Sequence, residues 1–172
     1  MIKISREAID STLEETLKLH SKGKLVEFQL SIERRIGQEK PFLGDYINSG
    51  IEDLKIIEGE DGELIRGGYL SGAHLTFRMI ETQLKMDKQQ SPDINELDIQ
   101  ATSKDRDSFI EMEVSDIIMA KIAQIKRVNL EFGEYVKTYV LHQVPNKMIA
   151  RGFAMGVVTT YSAYEQALRN RE

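Results

Sequence analysis

Two glycine pairs constrain this chain more than any other feature. Gly68 and Gly72 lie four residues apart, and Gly152 and Gly156 repeat the spacing 84 positions later. Residues four apart share one face of an α-helix. In water a helical glycine costs roughly 1 kcal/mol relative to alanine, so something must offset it. Close approach of a second backbone is the simplest candidate. The spacing predicts two long helices, over 66–86 and 147–170, with their small residues available for tight packing.

The pairs belong to a longer internal correspondence. With the chain shifted by 84 residues, positions 24–84 align without a gap and show eight identities: Glu27, Ser31, Ile65, Gly68, Gly72, Thr76, Glu81 and Leu84 with their counterparts. The apolar stripe Tyr69-Ala73-Phe77-Ile80-Leu84 is matched by Phe153-Val157-Tyr161-Tyr164-Leu168. Segments 32–50 and 116–134 do not correspond. The pattern suggests one domain over 1–172, built from pseudo-two-fold halves at 1–86 and 87–172. The length of 172 residues suits a single domain, and 41% hydrophobic residues suffice for a core.

Between the helices the sequence points to strands. Val26, Phe28, Leu30 and Ile32 alternate with polar neighbours across 24–33, as in a half-buried strand. Leu25, Phe28 and Ile32 also share a helical face, which leaves a helix as the competing reading. Residues 109–115 alternate in the same way, and 136–144 are rich in β-branched and aromatic residues. Asp61-Gly62 sits between short apolar runs, Leu54–Ile57 and Leu64-Ile65, and signals a hairpin. Leu97 and Ile99 alternate weakly. Gly37, Pro41, Gly44 and Gly50 mark 37–50 as a loop, and 87–92 read as a polar linker. Residues 5–20 fit a first helix behind Ser5. The expected class is therefore α+β: two βxβα halves forming one mostly antiparallel sheet, with the two long helices on one face. An all-α bundle is the alternative, because several strand segments also fit helical spacing.

Composition excludes several functions. No cysteine occurs, which removes disulfides, zinc ribbons and cysteine nucleophiles. The net charge of −5, with no basic-aromatic stripe, argues against nucleic acid as a partner. No apolar run resembles a signal peptide or a transmembrane span, so a cytoplasmic protein away from the membrane is expected.

Candidate chemistry is sparse. Three histidines, His20, His74 and His142, match no metal-ligand spacing, so neither a metal nor another cofactor is implied. The acidic run 58–63 lacks the order of a calcium loop. Glu81 and Glu165 are equivalent in the repeat and are open to an acid/base reading, although surface positions suit both better. An expected anion site near the two helix starts combines Arg66, Gly67, Gly68, Ser71 and His74 with Arg151 and Gly152, on the logic that free N–H groups at a helix start attract negative charge. No catalytic residue can be named. The leading expectation is a binding or interaction protein that self-associates without catalysis, using close-packing helices and exposed sheet edges. The alternative is a protein or enzyme that binds a small anionic metabolite near those helix starts.

Overall fold

A computed structural model of the chain describes Ser5, Glu7, residues 34–102, Ala123, Gly133, Glu134, Lys137 and residues 147–171. Three long helices organise these residues: α1 (Pro41–Leu54), α2 (Gly59–Met86) and α3 (Lys147–Arg171). Residues 34–39 and 96–102 are also helical. Among the described residues there is no strand, so the expected α+β sheet is corrected to an all-α bundle. The expected strands at 24–33 and 109–115 lie outside the described residues. So does 136–144, except for Lys137, which is helical.

The corrections have local causes. Pro41 occupies the start of α1, where its missing N–H costs nothing. Leu43, Ile47, Ile51 and Leu54 then form a buried stripe at helical spacing. Two of the glycines that suggested a loop are packing sites: a Cβ on Gly44 would stand 2.8 Å from the Cα of Gly37, and one on Gly50 would run into the Tyr69 hydroxyl. Asp61-Gly62 falls in the first turns of α2 rather than in a hairpin. Glu60 and Asp61 face the positive end of that helix, and Gly62 leaves room for the Ile57 carbonyl oxygen, 2.0 Å from where a Cβ would be. At 97–99 the burial is the reverse of an apolar-inward strand: Leu97 is exposed and Asp98 is buried. Asp98 closes a reciprocal cap with Asn95. Each backbone N–H donates to the other's side-chain oxygen, at 2.9 and 3.0 Å.

The core runs along α2 and α3. Tyr69, Phe77, Phe153 and Tyr164 are among its largest fully buried side chains. The two helices run parallel, because their contacts advance together along both. Ile65 meets Gly152, Tyr69 and Ala73 meet Gly156, and the rings of Phe77 and Tyr164 lie 6.3 Å apart. The glycine contacts are reciprocal at the 84-residue offset. A Cβ on Gly68 would reach the Ile149 carbonyl oxygen at 2.2 Å, and one on Gly152 the Ile65 oxygen at 1.9 Å. Likewise Gly72 meets the Phe153 oxygen and Gly156 the Tyr69 oxygen, both at 2.1 Å from the Cβ position. Each glycine therefore points a Cα–H bond at the facing backbone carbonyl, and the close packing offsets the poor helix propensity. α1 packs against both long helices.

Candidate functional site

The residues marked in the sequence as an anion site do not stand at helix starts. α2 begins at Gly59, so the backbone N–H groups of residues 66–68 lie inside the helix and bond to its preceding turn. Residues 151 and 152 likewise follow the first turn of α3. The Arg66 guanidinium turns back to α1 and donates to the carbonyls of Leu54 and Ile57, each at 3.2 Å. It thus caps the end of α1. Gly68 and Gly152 are brought together, but as backbone packing sites. Gly67 and Arg151 are half-buried, whereas Ser71 and His74 are buried along α2. His20 and His142 lie outside the described residues.

A different site lies at the far end of α2. A cleft of about 740 Å³ is lined by Glu39, Arg78, Glu81, Lys85, Gln89 and Ser91, among others. Its wall is shaped by how α2 ends. The Gln89 N–H donates to the Leu84 carbonyl at 2.8 Å and that of Lys88 to Lys85 at 3.1 Å. This paired closure reverses the chain, and Lys88 takes the left-handed conformation it requires, with φ of 54°. The reversal carries Ser91 back along α2, where its hydroxyl donates to Glu81 Oε1 at 2.6 Å. One residue further, the Pro92 carbonyl accepts from the buried Lys40 ammonium, which ties this turn to the head of α1.

Behind Glu81, α3 supports the cleft without lining it. The Tyr164 hydroxyl donates to the same Glu81 oxygen at 2.5 Å. Burial, and after it the Glu81 carboxylate, push this phenol far above its ordinary value of 10.0, with a smaller contribution from Glu39. Tyr164 is thus a proton-holding donor at neutral pH, and its hydroxyl is committed to the Glu81 carboxylate. The cleft presents the carboxylates of Glu39 and Glu81, the cations of Arg78 and Lys85, and the Gln89 amide; the Ser91 hydroxyl proton is already committed to Glu81.

The two glutamates 84 positions apart have different partners. Glu165 pairs with Arg169 on its own helix at 3.2 Å, and Glu81 takes Tyr164 and Ser91. Among the described residues no three histidine, aspartate or glutamate side chains come close enough together to hold a metal ion. None of the described helices is long and apolar enough to cross a membrane. Sequence reasoning marked Glu81 but missed Tyr164, Ser91, Glu39 and Lys85. Tyr164 stood in the apolar stripe and Ser91 in the polar linker, and no local pattern joins them. Comparison with protein-family models, with curated proteins and with solved structures gives no match for this chain.

Proposed function

We propose that this protein binds a small polar ligand in the cleft beside Glu81. One observation carries the reading: a single carboxylate oxygen collects hydroxyls from two distant parts of the chain, Tyr164 and Ser91, at the wall of a 740 Å³ cleft. That volume falls within the range of small-molecule sites, and convergent polar groups are what fix a ligand's orientation. The self-association expected from the sequence drew on glycine-bearing helix faces and on sheet edges. The glycine faces are used between α2 and α3 of one chain, and the described residues include no sheet. The binding reading therefore rests on the cleft.

Thermal unfolding with a panel of small polar metabolites tests it. A ligand present at 100 times its dissociation constant stabilises the fold by about 2.7 kcal/mol. At least one compound is expected to raise the midpoint of the wild type and to lose that effect in Glu81→Ala. A flat response across the panel would remove the proposal.

A further inference from the structure

The internal repeat identifies what is unusual about the cleft. Position 81 corresponds to 165 and position 85 to 169, so both long helices carry a glutamate followed four residues later by a basic residue. Such pairs meet on a helix surface. In α3 the pair closes on itself, Arg169 to Glu165 at 3.2 Å. In α2 it is split. Among the described residues Glu81 and Lys85 form no ion pair, because Tyr164 and Ser91 draw the carboxylate to their side. Lys85 stays exposed, one turn further along the same cleft wall.

From this split pair we infer that the cleft takes a small zwitterion, a molecule with an ammonium at one end and a carboxylate at the other. The inference rests on the ligand-binding reading above. A carboxylate has about four acceptor positions. Among the described residues the two internal hydroxyls both land on Oε1 of Glu81. Its other oxygen and the Glu39 carboxylate remain to receive an ammonium. The Lys85 ammonium, about one helical turn away, receives the ligand's carboxylate. Tyr164 and Ser91 act as positioning residues that hold Glu81 away from Lys85. The lining carries two carboxylates, Glu39 and Glu81, and two cations, Arg78 and Lys85, so a ligand with only one charged end leaves wall charge of the other sign unmatched, and the two-ended molecule binds better than either half.

Calorimetric titration of the full chain with matched probes tests this. 4-Aminobutyrate and 5-aminopentanoate carry both ends, n-butylammonium only the ammonium and butyrate only the carboxylate. At least one zwitterion is expected to bind, with each one-ended probe weaker by about tenfold or more, the scale of one lost charge-assisted contact. Glu81→Gln and Lys85→Met should each weaken the zwitterion by a similar factor. Equal binding of butylammonium or butyrate would overturn the two-ended ligand and leave the ligand-binding reading standing. Silence of both zwitterions would do the same if other polar metabolites still shift the unfolding midpoint. If the whole panel is silent as well, both readings fall.

Discussion

The backbone carbonyl of Phe153 lies against Gly72, 2.1 Å from the point where a Cβ would sit. No side chain fits there unless α2 and α3 separate. The fully buried stripe between them, Tyr69 and Phe77 with Phe153 and Tyr164, depends on that separation staying small.

Gly72→Ala is therefore expected to destabilise the fold by about 3 kcal/mol, the upper end for an overpacked site, since rigid backbone is what must yield. Reciprocity adds a sharper expectation. Gly68→Ala and Gly152→Ala meet equivalent carbonyls, so their costs should be similar. The double variant should cost less than the sum, because one substitution already parts the helices. Urea unfolding of the four variants checks this, and costs below about 0.5 kcal/mol, as at ordinary surface positions, would contradict the packing.

Arg66 supplies a second prediction. Its guanidinium serves the Leu54 and Ile57 carbonyls at the end of α1. Arg66→Ala should lower stability by about 1–2 kcal/mol through the lost hydrogen bonds. Ligand binding at the Glu81 cleft should be unchanged in the folded fraction. A variant of unaltered stability that lost ligand binding would return Arg66 to the anion site read from the sequence.

These two cases show what was legible in the sequence. The long helices were, because their apolar stripes and glycine pairs are local and periodic. The reciprocal contact of Gly68 and Gly152 follows the same 84-residue offset that the sequence displays. α1 was obscured by Pro41, Gly44 and Gly50, residues that break helices in isolation but here serve a helix start and close packing. The start of α2 was misplaced because Asp61-Gly62 is a turn signal only when apolar strands flank it. The roles of Arg66 and the cleft were hidden for a different reason. They depend on where separate elements meet, and Tyr164 stands 83 positions from the glutamate it serves.

The pH dependence of stability follows from the buried tyrosines. Tyr164 is raised above its ordinary value of 10.0 by burial and by Glu81, and Tyr161 by burial and by Glu165. Below pH about 10 both phenols are protonated whether the chain is folded or unfolded, so their contribution is constant. Above it the unfolded chain releases those protons first, and stability falls as pH rises, by at most about 1.4 kcal/mol per pH unit for each phenol. Tyr164→Phe should start less stable at neutral pH, through loss of the Glu81 hydrogen bond, and should decline less steeply. Urea midpoints for wild type and variant between about pH 8 and 11 measure both effects. Parallel curves would mean that Tyr164 is not the buried, carboxylate-facing phenol described above.

Lys88 offers a stabilising substitution at the edge of the cleft. Its φ of 54° is left-handed, a conformation that costs a residue with a Cβ roughly 1 kcal/mol and glycine almost nothing. The turn needs that conformation, because the Gln89 and Lys88 N–H groups can reach the Leu84 and Lys85 carbonyls only if the chain reverses there. Lys88→Gly should therefore stabilise the fold by about 0.5–1 kcal/mol, the net of relieved strain and a looser unfolded chain. Lys88→Val should destabilise it, since a β-branched side chain tolerates the left-handed region least. The same turn returns Ser91 to Glu81, so the two variants should separate in ligand affinity as well. Glycine should keep it and valine weaken it. Paired thermal and calorimetric titrations read both quantities, and a valine variant as stable as the glycine one would show that α2 does not end in this turn.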